Sequence, residues 1–339
     1  MESKKKVSLK EVAQAAGVSS AMVSMVLNGK AKQYGISEEA ARKVKAVAKE
    51  MNYRPNIMAR GLRSGHSHLI GLLVADIHNP FFSYLAREVE RTANICGYTV
   101  VYGNSDEESK HLKMTFESLI NQGVEGLIVV PCENTEKFMS GWVESNFPLV
   151  LVDRDFPSLP VSSVTLDNFH ASFEMTELMI KEGYRNIAFI AYDTEMSHMN
   201  ERRQGYEQAM TEAGLTPEVY YLSPHTSRED MERLFQVWSK QKRHAEAMIF
   251  STNTLTITAL YEVKRLGLRI PDDLAVFGFD GGSVFDLYTP SISYVRQPVA
   301  DMGREAVQLL VSQIENGAEP QKKKLQAQVF PNESSQKRD

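Results

Sequence analysis

The stretch that decides the fold of the N-terminal part lies at residues 8–29 and reads SLKEVAQAAGVSSAMVSMVLNG. Its apolar residues recur at spacings of three and four, which predicts a short amphipathic helix at its start. Gly17 interrupts this pattern, and Ser19 can cap a second helix. The pair Asn28-Gly29 then ends the second helix. Two short helices joined by a tight turn are typical of a helix-turn-helix motif.

Capping side chains mark the starts of the first and third predicted helices. Ser8 and Glu11 form an S-x-x-E capping box, in which each side chain accepts a hydrogen bond from the other residue's backbone amide. Ser37 stands before two glutamates, and acidic side chains favour the positive end of a helix. The apolar face of the third helix is predicted to consist of Ala40, Val44, Val47, Ala48 and Met51.

A second block, NYRPNIMARGLRSG at residues 52–65, follows the third helix. Together the two blocks resemble the start of the lactose-repressor (LacI/GalR) family of bacterial transcription regulators. This resemblance implies a sequence-specific regulator, most simply a repressor, that binds double-stranded operator DNA and responds to a small effector. The matching residues are Leu9, Val12, Ala13, Ala16, Gly17, Val18, Ser19, Val23, Ser24, Leu27, Asn28, Asn52, Tyr53, Pro55, Asn56, Ala59, Arg60 and Leu62.

The second helix of such a motif enters the major groove with its first residues facing the base edges. Met25 stands where several relatives of the family carry Arg or His, so we do not expect their guanine contact here. Met25 either touches a base through its apolar side chain or only covers the helix. The expected DNA contacts in this domain are Ser8, Ser19, Ser20, Ala21, Ser24, Met25, Asn28 and Tyr53.

Residues 56–62 resemble the hinge helix of the family. In the family one such helix from each subunit lies in the minor groove, and the residue that matches Leu62 is inserted into the central base step. Such a wedge unstacks one step and bends the duplex. Asn56, Ala59 and Leu62 are therefore expected to contact DNA. The alternative is a flexible linker in which the leucine is incidental.

Charge is distributed unevenly along the chain. Residues 1–66 carry 13 Lys and Arg against 5 Asp and Glu, a balance of +8, whereas the remaining residues have a balance of −13. Contacts of Lys and Arg with phosphates supply most non-specific affinity for DNA. The basic N-terminal part therefore indicates a polyanionic partner for this part alone.

Length and composition are those of an ordinary globular protein with more than one core. The two cysteines, Cys96 and Cys132, are too few for a disulfide framework and are both expected to be buried. The N-terminus lacks the apolar segment of a signal peptide, and no stretch approaches 18 apolar residues. We therefore expect a cytoplasmic protein with no membrane partner.

From residue 68 onward, apolar strand segments alternate with amphipathic helices in two successive series. This alternation predicts two doubly wound α/β subdomains. The expected fold is α/β: an N-terminal three-helix helix-turn-helix domain and a hinge helix, followed by a body that resembles periplasmic sugar-binding proteins. By the family resemblance the chain crosses between the subdomains three times. The expected domains are a DNA-binding domain at 1–55, a hinge helix and linker at 56–67, and a ligand-binding and dimerisation domain at 68–339, with an N-subdomain at about 68–164 and 296–320 and a C-subdomain at about 165–295 and 321–332.

Ligands of doubly wound folds bind at the carboxyl ends of the parallel strands. Carboxylates there can hold the hydroxyls of a sugar, and aromatic rings can stack on its apolar faces. By the resemblance, Arg202, Asn253 and Asp280 match family ligand contacts, although Thr254 replaces the aspartate that relatives usually carry. The expected effector is a sugar or sugar derivative, and its expected contacts are Asp76, Phe81, Phe82, Asp153, Arg154, Arg202, Asn253 and Asp280.

Several of these residues have a structural alternative. Either phenylalanine could be ordinary core, Asp76 could cap the next helix, and Asp280 could serve the turn at Gly281-Gly282. A structural role is least expected for Arg202, because an arginine at that position has little structural need.

An enzyme, such as a sugar kinase with an attached helix-turn-helix, is the alternative from another class. It would need a phosphate-binding loop, and the sequence contains no G-x-x-x-x-G-K-[ST]. G-x-S-x-G, H-E-x-x-H and a Cys/His metal cluster are also absent from the sequence, so we expect no catalytic residues, no metal and no cofactor. We expect a homodimer, because one short recognition helix reads too few bases and two-fold symmetry doubles the site.

Overall fold

The structure is a computed structural model and describes residues 7–53, 66–240 and 245–337. The chain divides into two compact units, Met1–Ser67 and His68–Asp339. The predicted hinge helix, with its expected DNA contacts Asn56, Ala59 and Leu62, lies outside the described residues.

Three helices form the described part of the first unit, as predicted. The capping box is complete: the backbone N–H of Ser8 donates to Glu11 Oε2 over 2.7 Å, and the Ser8 hydroxyl accepts from the backbone N–H of Glu11. Gly17 ends the first helix at φ 69°, a conformation that glycine adopts without steric cost. A single small core, which includes Val12, Val23 and Val44, holds the helices together. The helices are α1 (Leu9–Ala16), α2 (Ser20–Leu27) and α3 (Glu38–Glu50).

The described residues of the second unit form two six-stranded sheets, each flanked by helices. All strands of the first sheet are parallel, in the order β11-β5-β4-β3-β1-β2. Its strands are β1 (Leu69–Val74), β2 (Thr99–Asn104), β3 (Leu127–Val129), β4 (Leu149–Asp153), β5 (Ser162–Leu166) and β11 (Lys322–Leu325). Its helices are α4 (Pro80–Ile95), α5 (Ser109–Asn121), α6 (Glu136–Glu144) and α12 (Val299–Asn316).

The second sheet has the order β12-β10-β9-β8-β6-β7, and only β12 is antiparallel to its neighbour. Its strands are β6 (Ile187–Tyr192), β7 (Glu218–Leu222), β8 (Ala247–Phe250), β9 (Ala275–Phe279), β10 (Ser293–Arg296) and β12 (Gln328–Phe330). Its helices are α7 (Asn168–Lys181), α8 (Ser197–Glu212), α9 (Ser227–Trp238), α10 (Asn253–Leu266) and α11 (Ser283–Leu287). The two successive βαβ series of the prediction are therefore present.

The chain passes three times between the sheets, as the family resemblance implies. The first passage follows β5, the second leads from β10 to α12, and the third lies between β11 and β12. The third passage was predicted at about residue 321, which is wrong, because Lys322–Leu325 hydrogen-bonds to β5 of the first sheet. Three successive lysines carry no apolar pattern, but charged side chains are common on an exposed edge strand, where they discourage pairing with other chains.

Helices α7 and α8 pack closely on one face of the second sheet. A Cβ added to Gly205 in α8 would lie 2.2 Å from the carbonyl oxygen of Phe169 in α7. The two backbones therefore approach as closely as they do only because Gly205 has no side chain. This contact fixes the position of α8, whose first turns lie beside the cleft described below.

The composition predicts that both cysteines are buried and that no segment spans a membrane. Cys132 is buried, but Cys96 is exposed, because it directly follows the last turn of α4 at the surface. Across the described ranges, none of the helices has the length and apolar character needed to span a membrane.

Candidate nucleic-acid interface and ligand cleft

Helix α2 presents most of the predicted DNA contacts on its outer surface. Val23 and Val26 point into the core of the first unit, where they are fully buried. Ala21 and Asn28 are exposed, and Met25 is half-buried. The side chains on this outer surface can therefore reach a groove without disturbing the core. Ser20 and Ser24 are half-buried and Ser19 is exposed on the same helix start.

Five of the predicted DNA contacts also have structural roles. The Ser19 hydroxyl caps α2 by accepting from the backbone N–H of Met22 over 3.2 Å. Ser8 belongs to the capping box of α1, and Tyr53 packs against the core of the first unit. Ser24 Oγ accepts from Asn28 Nδ2 over 3.3 Å. The hydroxyls at the two helix starts therefore hold local structure, whatever contact they also make with DNA.

All eight predicted effector contacts line one cleft of about 300 Å³ in the second unit. The cleft opens at the carboxyl ends of both sheets, because Asp76 follows β1, Asp153 ends β4 and Asp280 follows β9. Residues of the first sheet's helices face residues of the second sheet's helices across it. This is the position at which doubly wound folds bind ligands.

Arg202 lies at the base of the cleft and is only 2% exposed. Its Nε donates to Asn168 Oδ1 over 2.8 Å, and its Nη1 donates to the Ser251 carbonyl oxygen over 2.6 Å. Its guanidinium carbon lies 3.7 Å from the centroid of the Phe279 ring. The expectation that this arginine has little structural need is therefore wrong, since it ties α8 to α7 and to the end of β8.

Arg154 is paired with a carboxylate that was not predicted. Its Nη1 and Nη2 donate to the two oxygens of Glu107, each over 2.6 Å, and its Nε lies 3.4 Å from Asp153 Oδ2. Burial disfavours the charge of Arg154, but Glu107 and then Asp153 outweigh this effect and raise the pKa of the guanidinium. The sequence held a signal for Glu107, because it follows the end of β2, as the predicted carboxylates follow other strands.

Burial raises the pKa of two aspartates that line the cleft. It raises the pKa of Asp280 to about 6, against the opposing attraction of Arg202. The pKa of Asp153 is also raised by burial, although Arg154 and Arg202 oppose the shift. Gln297 Nε2 donates to Asp280 Oδ1 over 2.8 Å. The Asp280 side chain thus faces the second passage between the sheets instead of serving the turn at 281–282.

Phe81 and Phe82 line the cleft and also belong to the core of the first sheet. Both are more than nine-tenths buried, and their ring centroids lie 5.0 Å apart in an edge-to-face arrangement. Asp76 does not cap α4, because Asn79 Oδ1 accepts from the backbone N–H of Phe81 over 3.1 Å. Asp76 instead accepts from the backbone N–H of His78 over 2.9 Å, and its side chain is 43% exposed.

Hydrogen bonds cross the cleft from one half of the second unit to the other. Asn253 Nδ2 donates to Asn79 Oδ1 over 2.9 Å. Glu133 Oε1 accepts from the backbone N–H of Glu195 over 2.8 Å and from the Thr194 hydroxyl. These contacts hold the two halves of the second unit together around the cleft. Cleft residues that were not predicted include Asn79, Glu107, Glu133, Tyr192, His198 and Thr254.

His198 is a buried, neutral group of the cleft. It is 5% exposed, and burial lowers the pKa of its imidazole well below the ordinary value, with Arg154 and Arg202 adding to the effect. Its Nδ1 has no hydrogen-bond partner among the described residues. Within residues 7–53, 66–240 and 245–337, no three His, Cys, Asp or Glu side chains gather as metal ligands would.

A helix-turn-helix unit followed by two doubly wound halves around a polar cleft defines a DNA-binding protein with a ligand-binding body. Residues 8–56 match the family described as "Bacterial regulatory proteins, lacI family", and residues 176–335 match the "Periplasmic binding protein-like domain". The chain belongs to the lacI family of transcriptional regulators.

Relatives along nearly the whole chain agree with this assignment. The chain is 32% identical to the HTH-type transcriptional regulator KdgR of Bacillus subtilis, over 96% of this chain and 97% of that protein. It is 32% identical to the ribose operon repressor of Halalkalibacterium halodurans, over 91% and 90%. The fold is similar to that of the Lac repressor dimer bound to operator and an anti-inducer, with a TM-score of 0.84 at 21% identity over 98% and 99% of the chains.

Proposed function

We propose that this transcriptional regulator is a cytoplasmic repressor that binds a pseudo-palindromic operator as a homodimer and is controlled by a sugar-like effector in the cleft. The observation that carries the proposal is the convergence of all eight expected effector contacts on one cleft at the strand ends. The body then serves as a sensor for the helix-turn-helix unit, and it has no catalytic role.

The chemistry of the cleft supports a hydroxyl-rich ligand. Asp76, Asp153 and Asp280 supply carboxylate oxygens, which accept hydrogen bonds from hydroxyls, and Asn253 supplies an amide that can both donate and accept. Phe81 and Phe82 supply apolar surface beside them. A cavity of about 300 Å³ is at the small end of ligand sites, which favours one sugar ring over a longer saccharide. The name of the ribose operon repressor relative is in keeping with such a ligand.

Closure of the two halves of the second unit is the proposed signal. A ligand that binds one arrangement of the halves better than the other shifts the equilibrium towards that arrangement. The bonds from Asn253 to Asn79 and from Glu195 to Glu133 belong to one such arrangement. Coupling between two sites in proteins typically amounts to about 1–3 kcal/mol, which corresponds to a 5–150-fold change in operator affinity.

The decisive experiment is a mobility shift of the native promoter fragment with and without candidate monosaccharides. Asp76→Asn should abolish the effector response and leave operator affinity without effector unchanged, because Asp76 lines the cleft and its side chain is 43% exposed. Asp301→Asn is the matched control, since Asp301 is 49% exposed on α12 and outside the cleft. If Asp76→Asn still responds with unchanged sugar affinity, the cleft assignment is wrong.

The hinge helix remains a proposal from the sequence, because residues 56–62 lie outside the described part. Leu62→Ala should weaken binding to operator far more than binding to random DNA. It removes the apolar wedge while the phosphate contacts of Lys and Arg are kept. Equal losses on operator and random DNA, measured in the same salt, would argue against the wedge.

A further inference from the structure

Glu107 and Arg154 form a bidentate ion pair on the wall of the cleft. Both terminal nitrogens of the guanidinium donate to the two carboxylate oxygens, each over 2.6 Å. This is the bidentate arrangement in which arginine binds carboxylates and phosphates most strongly. The Arg154 side chain is 12% exposed and that of Glu107 is 39% exposed, so the pair faces the space in which a ligand would lie.

The backbone holds Glu107 in place for this contact. Asp106 and Glu107 have φ values of 52° and 59°, which side chains other than that of glycine adopt at a cost. The backbone N–H of Glu107 donates to the Ala75 carbonyl oxygen over 3.0 Å, which anchors the strained loop to the end of β1. The loop therefore holds the backbone of Glu107 at a position from which its carboxylate reaches Arg154.

Because the charges of Glu107 and Arg154 cancel, the other charged side chains that line the cleft carry an excess of negative charge. Among the residues that the structure describes, five carboxylates and the guanidinium groups of Arg154 and Arg202 line the cleft. Glu107 occupies the Nη1–Nη2 edge of the Arg154 guanidinium. Asn168 and the Ser251 carbonyl accept hydrogen bonds from Arg202, whose guanidinium lies over the Phe279 ring. A ligand phosphate or carboxylate would have to displace Glu107 before it could form a bidentate contact with Arg154. The carboxylates that line the cleft are Asp76, Glu107, Glu133, Asp153 and Asp280.

We propose that Glu107 is the charge filter of the cleft: its carboxylate occupies the place on Arg154 that an anionic ligand would take, so that the cleft accepts uncharged or amino sugars and rejects sugar phosphates and sugar acids. The inference rests on the proposed function for the identity of the ligand as a sugar. The filter itself depends only on the Glu107–Arg154 geometry, so it can be tested with an inorganic anion.

Inorganic phosphate at constant ionic strength is the first probe, measured by titration calorimetry on the intact protein. Glu107→Gln should bind phosphate at least about tenfold more tightly than the wild type, a factor that corresponds to about 1.4 kcal/mol. Glu108→Gln is the matched control, because the neighbouring glutamate is exposed and does not line the cleft. The basic first unit can bind phosphate in every variant, so the readout is the difference between variants.

The gain in phosphate affinity should disappear in the double variant Glu107→Gln/Arg154→Gln. Arg154 is the group that phosphate would contact once the Glu107 carboxylate is gone. Glu107→Asn serves as a second single variant, since asparagine tolerates a positive φ and is too short to replace the glutamate. Phosphate binding that is equal in the wild type, Glu107→Gln and Glu107→Asn would overturn the proposal. A gain that survives removal of Arg154 would overturn it as well.

Matched sugars form the second arm, namely D-ribose with D-ribose 5-phosphate, and D-glucose with D-glucosamine and D-glucuronate. The wild type should prefer the uncharged or amino member of each set. Glu107→Gln should raise the affinity for the anionic member relative to the uncharged one by at least about tenfold. Tighter binding of ribose 5-phosphate than of ribose by the wild type would overturn the filter. If no sugar binds any variant, the sugar part of the proposed function fails, while the phosphate comparison still decides the role of Glu107.

Discussion

Asp153 and Asp280 point into the cleft from strained backbone positions at the ends of two strands. Their φ values are 69° and 56°, in the left-handed region that residues with a Cβ rarely adopt. Strain of this kind persists where the surrounding structure imposes it, and it is concentrated at functional sites. Burial adds a second cost, because it disfavours the charged carboxylates and raises the pKa of both. The two carboxylates therefore stand in the cleft at a cost in local stability.

Asp280→Asn should therefore stabilise the protein above about pH 6 and change its stability little near pH 4. The carboxyl group titrates near its ordinary pKa of 3.8 in the unfolded chain and at about 6 in the folded protein. The folded state therefore binds the proton more tightly than the unfolded state does. As a result, the free energy of unfolding of the wild type falls as the pH rises from about 4 to about 6. An asparagine stays neutral and its Oδ1 can still accept from Gln297.

Urea unfolding of both proteins at several pH values between about 4 and 7 measures the effect of this substitution. The difference in the free energy of unfolding should grow with pH and reach up to about 2–3 kcal/mol. A difference that is the same at every pH would contradict the assignment of the raised pKa to Asp280.

At the scale of secondary structure elements, the contact between α7 and α8 decides where the cleft residues of α8 lie. Gly205→Ala should destabilise the protein by about 2–3 kcal/mol or more, because the new Cβ would meet the backbone oxygen of Phe169 at 2.2 Å. Gly141→Ala is the matched control in α6. Apart from the helix's own backbone and the adjacent residues, no atom of the described residues lies within 4 Å of a Cβ at position 141. The substitution should therefore stabilise the helix by about 0.5–1 kcal/mol. Thermal unfolding of the two variants should therefore move in opposite directions.

The capping serines of the first unit allow a second comparison between elements. Ser19→Ala and Ser37→Ala each remove one hydroxyl that caps a helix, α2 or α3, and each should cost about 1 kcal/mol of stability. Only Ser19 stands at the start of the proposed recognition helix. Operator affinity should therefore fall more in Ser19→Ala than in Ser37→Ala, by filter binding at a temperature where both are folded. Equal losses of operator affinity in the two variants would indicate that Ser19 only caps the helix and does not contact DNA.

At the scale of the whole molecule, the outer surface of α10 and α11 carries exposed apolar side chains. Tyr261 is 65% exposed, Val284 is 56% exposed and Leu287 is 82% exposed. Helices α10 and α11 pack on the same side of the second sheet, so these side chains share one layer of the molecule. An apolar surface of this kind is a candidate for the contact between two copies of the chain.

Leu287→Arg should weaken the proposed homodimer, since the charge would have to be buried at the contact between the two copies. Light scattering should show a larger fraction of monomer, and operator affinity should fall because half of the site is lost. Met114→Arg on α5 is the control, with a comparably exposed apolar side chain at 59%. A monomeric wild type that binds its operator at full affinity would refute the dimer itself.

Much of the architecture of the molecule followed from short-range patterns. The capping box at Ser8, the glycine at 17 and the capping serines act on amides within a few residues, so their effects can be derived from local sequence. Continuous apolar runs revealed the buried parallel strands, and the acids after them indicated the edge at which the cleft lies. The strand at 322–325 escaped this reasoning, because its lysines depend on β5 to become a strand at all.

The sequence by itself determined the three-helix unit, the two doubly wound halves and the eight residues that meet in the cleft. Only the tertiary structure decided how those residues are used. Glu107 reaches Arg154 across 47 positions of sequence, and Arg202 is held by Asn168 and by the Ser251 carbonyl. Such pairings depend on where the passages between the sheets bring distant side chains, and a charge in the sequence does not specify its partner. Local hydrogen bonds and periodicity can be derived from neighbouring residues, whereas long-range electrostatic pairing exists only once the chain has folded.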